Sequence, residues 1–325
     1  MNVRRRPLIV GGLAGLAVPG GALAQPAAGK VWRMGVLSEA IPAELMRTAN
    51  ARRMATLGYV EGRNLVVDAK YAQGKPERLP GLAEELLAAK PDVLLGFANR
   101  EIIALKQATK TVPIVMLYAS MPVEVGLIAS LARPGGNITG TTGLVPEMAG
   151  KMYQILREAV PRMSHVAWLG DPDYPGMAIF GKYADQALKG VRKTELAIRT
   201  IADIDPALAS LERERPDALS LTSTGVLFEQ TGRIIEFAAR HRLPAMYDNG
   251  NAVASGGLMS YAPDFAAMGQ RYVWMIDKIF KGAKPSDIPV EEPTKYQLVI
   301  NMKTAKAMGL VIPPTVLLQA TELIQ

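Results

Sequence analysis

The chain has 325 residues, 49% hydrophobic and 21% charged, which excludes an intrinsically disordered protein and gives length enough for two separate cores. Its net charge of +7 is scattered along segments such as Glu212-Arg213-Glu214-Arg215, where a nucleic-acid binder would cluster Lys and Arg on one face among aromatics. Cysteine is absent, which excludes disulfides, thiolate catalysis, thiolate metal sites and a cysteine-borne lipid anchor.

Arg4, Arg5 and Arg6 precede an apolar run over 8–23, and Ala22-Leu23-Ala24 forms a small-residue cleavage site before Gln25. This pattern predicts a secretory signal over residues 1–24, cleaved from the mature protein. The run is short, glycine-rich and broken by Pro19, unlike a membrane span of about 20 apolar residues. Export is by the Sec route or, given the adjacent arginines, by twin-arginine export, although Pro7 and the missing aromatic depart from that signal. Cleavage removes three of 37 Lys+Arg and none of 30 Asp+Glu, leaving 34 against 30 and a charge of +4. A soluble exported binder stays useful only where an outer barrier confines it, which points to a periplasm.

From residue 31 onward, short β-rich runs alternate with longer segments of helical period, the pattern of an α/β fold with mostly parallel sheets. Strands are predicted near 31–38, 64–72, 92–98 and 113–119, with helices near 43–57, 77–90 and 100–110 between them. The pattern then restarts, with strands near 165–170, 194–201, 217–222 and 244–248 and helices near 176–190, 205–214 and 228–242. Segments recur in preserved order: Ile102-Ile103 and Ile234-Ile235 lie 132 residues apart, Pro91-Asp92 and Pro216-Asp217 lie 125 apart, and Gly135-Gly136 and Gly256-Gly257 lie 121 apart. Pro-Asp before a strand is common, so the shared order carries the duplication rather than any one match. The segment 136–143 falls between the halves and reads as a crossover that can absorb hinge rotation.

Ligands of open α/β sheets bind beyond the carboxyl ends of the strands. The first half offers Ser38, Glu39, Asn99, Tyr118 and Ser120 at such positions, with Thr142 in the crossover. The second half offers Asp171, Tyr174, Ser223, Thr224, Tyr247, Asp248 and Tyr261. Hydroxyls and helix-start N–H groups at Ser120, Thr142 or Asn99 suit a carboxylate, Asp248 or Asp171 an ammonium, and the tyrosines a flat side chain. The same Ser, Asp and Asn residues also serve as helix caps, and tyrosines suit strand ends through packing alone.

An enzyme needs more than is visible. His165 precedes a strand at the edge opposite the expected cleft, and His241 ends a helix between Arg240 and Arg242. No His-x-x-x-His, calcium loop or phosphate-binding glycine motif occurs, so neither a metal nor a cofactor is expected. The paired acids near 171–173 keep one alternative open, a hydrolase or lyase using Asp or Glu in an interlobe cleft.

Five motifs occur in order: Gly58-Tyr59-Val60-Glu61-Gly62-Arg63-Asn64, Arg78-Leu79-Pro80, Arg133-Pro134-Gly135-Gly136-Asn137-Ile138-Thr139-Gly140, Gly256-Gly257-Leu258-Met259-Ser260-Tyr261, and Pro293-Thr294-Lys295-Tyr296-Gln297-Leu298-Val299-Ile300-Asn301. Over residues 31–320 the chain resembles the ABC transporter substrate-binding family that includes the tryptophan- and tyrosine-binding proteins. The resemblance implies a type I periplasmic binding fold: two Rossmann-like α/β lobes with parallel sheets, joined by a three-strand hinge. Lobe I would comprise 30–138 plus 264–290 and lobe II 139–263 plus 291–325, with the ligand cleft between. It implies a non-enzymatic protein that captures an amino acid or an aromatic or organic acid and delivers it to ABC permease membrane subunits, and a monomer is the simplest expectation for a protein that must present its cleft to a membrane complex. The chain departs from the family at Phe97-Ala98-Asn99-Arg100, where Gly-Thr-Pro-Ala is frequent, and at Met121-Pro122-Val123, where Asp-Pro-Val is frequent. Arg100, pointing inward, would favour a carboxylate ligand.

Overall fold

Runs of Val, Ile, Leu and Met bounded by Pro, Asp or Gly form the strands, and the amphipathic segments between them form the helices. The computed structural model describes residues 29–325 except 144 and 145; the signal expected over 1–24 lies outside the described residues. The first half runs β1 (Trp32–Ser38), α1 (Ala43–Ala55), β2 (Leu65–Tyr71), α2 (Leu79–Ala88), β3 (Val93–Gly96), α3 (Asn99–Ala108), β4 (Ile114–Ala119) and β5 (Ile138–Thr142). The second runs α4 (Pro146–Ala159), β6 (His165–Gly170), α5 (Met177–Ala187), β7 (Arg192–Ala197), α6 (Ile204–Glu214), β8 (Ala218–Leu221), α7 (Gly225–Arg240), β9 (Ala245–Tyr247), α8 (Gly250–Ala254) and β10 (Met259–Pro263). The chain ends with α9 (Phe265–Phe280), β11 (Tyr296–Asn301), α10 (Met302–Met308), α11 (Pro314–Leu317) and β12 (Glu322–Ile324).

Two sheets result. The first has the order β2-β1-β3-β4-β5 and is wholly parallel. The second has the order β7-β6-β8-β9-β10-β11-β12 and is parallel except where β11 pairs antiparallel with β10. Strands β1–β5 and β6–β10 therefore repeat one winding order, and the duplication inferred from residue offsets is visible as topology. The central strands β3 and β8 are buried at every position, because helices cover both faces of a parallel sheet. At the edge, β7 (Arg-Lys-Thr-Glu-Leu-Ala) carries charge and none of its residues is fully buried, which discourages pairing with another chain.

Two elements differ from expectation. Residues 138–142 pair with β4 as the fifth strand of the first sheet, although the second lobe was expected to begin at 139. The crossing comes only after that strand has been hydrogen bonded, so the crossover proper is shorter. Helix α4 was not anticipated, yet Met148, Ala149, Met152, Tyr153, Ile155, Leu156 and Ala159 form its buried stripe at helical spacing.

Helix α9 follows the second set of strands but packs on the first sheet. Asp264 caps it, accepting from the N–H groups of Ala266 and Ala267 at 3.0 Å each. Its Tyr272, Val273, Ile276 and Phe280 bury against Met34, Val36, Leu95 and Val115. The Tyr59 hydroxyl donates to Asp277 at 2.8 Å, fixing the turn after α1 to this helix. The chain passes between the sheets three times, after β5, after β10 and before β11. These passages are mutually bonded: Thr142 N–H donates to Glu291 O (2.9 Å), Glu291 N–H to Gly140 O (3.0 Å) and Asp264 N–H to Lys295 O (3.1 Å). No helix among the described residues is long and apolar enough to cross a membrane.

Candidate functional site

The carboxyl edges of the two sheets face each other across a cleft that encloses about 820 Å³ of empty space, open solvent at its mouth included. The turns after β1, β3 and β4 build one wall, and those after β6, β8 and β9 build the other. Of the residues singled out from sequence, Ser38, Glu39, Tyr118, Ser120, Tyr174, Ser223, Thr224 and Asp248 line it. Phe97, Phe228 and Phe265 line it too; Phe97 stood out in sequence only as part of the segment that departs from the family, and Phe228 and Phe265 were missed. Phe97 directly follows β3 and could have been found by the strand-end rule. Phe228 lies one turn inside α7 and Phe265 opens α9, so only tertiary packing brings them in.

The five remaining candidates sit elsewhere. Asn99 lies behind the wall, where its side-chain amide donates to Ser120 O (2.9 Å) and Pro175 O (2.8 Å) and its oxygen accepts from Ser120 N–H (2.8 Å). It is thus a brace joining β3, β4 and the opposing turn. Thr142 is buried in the first interlobe passage. Tyr247 is fully buried in the core that contains Leu219, Leu221 and Ala252, because alternation along β9 turns it to that face. Tyr261 stacks on Tyr296, with centroids 5.5 Å apart. Asp171 flanks the cleft, its carboxylate engaged by Arg100 at 2.5 Å.

Arg100 also reaches Glu39 at 3.2 Å and lies 5.0 Å from the centre of the Tyr174 ring. Its positive charge is therefore taken up by two carboxylates of the protein, not left for a ligand carboxylate as expected. Further contacts close the cleft: Asn99 N–H donates to the Tyr174 hydroxyl (3.0 Å), and the Tyr71 hydroxyl donates to Glu229 on α7.

Inside the cleft, the Tyr118 ring lies 5.0 Å from Phe265 and 6.2 Å from Phe97, a tilted aromatic cluster suited to a flat or apolar body. Gly143 makes room for it, since a Cβ there would lie 2.0 Å from Tyr118 Cδ2. Tyr118 Oη and Thr224 Oγ1 are shielded from solvent and find no hydrogen-bond partner within the protein. Burial pushes Glu39 up to about 7 against the opposing pull of Arg100, and burial likewise raises Glu101 and Asp248. Neither histidine lines the cleft, and no cluster of three or more metal-ligating side chains occurs among the described residues.

The sequence profile of the ABC transporter substrate binding proteins matches residues 51–324. The chain belongs to that family. A Clostridioides difficile protein named tyrosine-binding protein is 24% identical over 259 residues, covering 78% of this chain and 73% of the relative. A conserved domain protein from Vibrio cholerae superposes with a TM-score of 0.83 at 25% identity, covering 90% of this chain and all of that one. An ABC domain from Streptococcus pneumoniae in complex with L-Trp gives 0.80 at 24% identity, covering 91% of this chain and all of that one. The fold is thus that of the type I periplasmic binding proteins, and this substrate-binding protein receives solutes rather than transforming them. The hydrolase or lyase alternative falls with that assignment. Its acids are engaged structurally, Asp171 by Arg100 and Asp173 by Arg199 at 2.5 Å.

Proposed function

We propose that this protein is the periplasmic solute-binding component of an ABC importer, acting as a monomer after loss of residues 1–24. It closes on a small amino-acid-like or aromatic-acid solute and presents it to the permease membrane subunits. The carrying observation is the pair of unpartnered hydroxyls, Tyr118 and Thr224, set in an aromatic-lined cleft between two lobes. A buried hydroxyl without a partner is costly, and the polar groups of a ligand in the cleft would relieve that cost. The relatives support the reading by their names, one a tyrosine-binding protein and one a complex with L-Trp.

On this reading lobe I is 30–138 plus 264–290, extended by β5, and lobe II is the remainder, with the three bonded passages as hinge. Ligand favours the closed form because only there do both walls touch it. The test is to denature the purified protein, identify any retained solute by mass spectrometry, refold, and screen amino acids and aromatic acids by thermal shift. A ligand at about 100 times its dissociation constant adds about 2.7 kcal/mol. A shift confined to one chemical class, with a fall in radius of gyration by small-angle scattering, supports the proposal. Absence of any shift and of any retained solute would overturn it.

A further inference from the structure

A second cavity lies in the other half of the molecule, behind the cleft's second wall. Between α4, α5 and the edge strand β7 is about 720 Å³ of empty space, open solvent at its mouth included, a size usual for small-molecule sites. Its floor is buried and aromatic: Tyr153 from α4, Trp168 from β6 and Phe180 from α5, with Met177 beside them. The space exists because β7 is the edge of its sheet. Glu195 is the register partner of Trp168 in this parallel pair, so Lys193 and Glu195 rise on the same face as the indole, polar where an inner strand would supply apolar cover.

Trp168 is set in one orientation. Its Nε1–H donates to Thr222 Oγ1 at 3.0 Å, and Gly170 leaves room for the ring, since a Cβ there would collide with Trp168 Cζ2. A flat face fixed in this way receives another flat ring without a further loss of side-chain freedom. The rim is balanced in charge, Lys182 and Lys193 against Asp185 and Glu195. Lys193 is bonded to both acids, to Glu195 at 2.8 Å, and Lys182 is exposed, where an ion pair contributes little. An entering ion would therefore lose water without gaining an unengaged buried counterion. The two carboxylates still have lone pairs that accept from a neutral O–H or N–H.

We propose that this cavity is a second ligand site, for an uncharged aromatic carrying one hydroxyl or N–H donor, a phenol or an indole. It is separate from the interlobe cleft and does not depend on what the cleft binds. Met177 lines both spaces, and Thr222 lines the cleft while holding Trp168, so a ring seated here presses on groups that shape the cleft wall.

The experiment titrates the refolded, solute-free protein calorimetrically at neutral pH with p-cresol, benzoate and benzylamine, which share a ring and differ in charge. In parallel, 4-bromophenol is located in crystals of the protein by the anomalous scattering of bromine. p-Cresol should bind, the two ions should bind about tenfold more weakly or not at all, and the bromine should lie against Trp168 and Phe180. Gly181 lines the cavity within α5, and a Cβ there meets nothing within 4 Å. Gly181→Leu thus fills the space while replacing a helix-interior glycine with a better helix former, and it should weaken p-cresol about tenfold or more. Failure of p-cresol to bind, equal affinity for the ions, p-cresol affinity untouched by Gly181→Leu, or bromine confined to the interlobe cleft would each overturn the proposal. None of these results bears on the cleft as the solute site.

Discussion

Arg100 and Asp171 meet at 2.5 Å across the cleft, the first carried by the start of α3 and the second by the turn after β6. The contact joins the two walls directly, and Arg100 simultaneously holds Glu39 on its own side. Closure is thus supported by the protein's own groups as well as by whatever occupies the cleft.

Asp171→Asn should therefore open the ligand-free protein. The substitution removes one charge-assisted contact, on the order of 2 kcal/mol of closing free energy. Small-angle scattering should show a larger radius of gyration for the variant, and superimposable curves would mean the latch is dispensable.

Acidity should act on the same latch. Glu39, raised by burial to about 7, takes up a proton on closing, because opening returns it toward the ordinary glutamate value. Its contribution to closure is fully present below that ordinary value and is lost as pH rises through about 7. The closed fraction of ligand-free protein, followed by scattering, should fall across this window, and Glu39→Gln should diminish the fall.

Gly225 opens α7 at φ +43°, and a Cβ there would sit 2.3 Å from Glu39 Oε1. Gly225→Ala should force Glu39 aside, loosen its hold on Arg100 and strain the backbone by about 1–2 kcal/mol. Ligand affinity by calorimetry should drop about tenfold while the variant stays folded. Unchanged affinity would show that ligand binds with these walls farther apart.

Tyr118→Phe removes a hydroxyl that has no partner in the protein. Ligand-free stability should be unchanged or slightly higher, whereas affinity for a solute bonded to that hydroxyl should fall by about 1 kcal/mol. Tyr118→Ala and Asp248→Ala should weaken binding further without unfolding the protein. Wild-type affinity in both alanine variants would place the ligand elsewhere in the cleft.

Much of this was legible from residues alone. Alternating apolar runs placed the strands of the two halves, and preserved offsets anticipated a winding order now seen twice. The strand-end rule found Glu39, Tyr118 and Asp248, because depth along a strand is encoded locally. It failed at Tyr247 and Tyr261, since depth does not say which face of the sheet a residue takes and the pleat turned both into packing. Arg100 was misread for another reason: its two counterions lie 61 and 71 residues away, and only the folded chain reveals that its charge is already balanced. Helix α4 escaped notice because it abuts glycine-rich residues that read as a crossover.

The return of α9 to the first sheet has a consequence for how the molecule is made. A chain emerging amino end first exposes Met34, Val36, Leu95 and Val115 long before Tyr272, Ile276 and Phe280 arrive to cover them. The second sheet waits longer still, because β10, paired with β9 on one side, keeps its other edge open until β11 is present. Completing either core therefore needs residues from beyond position 264, near the end of the chain.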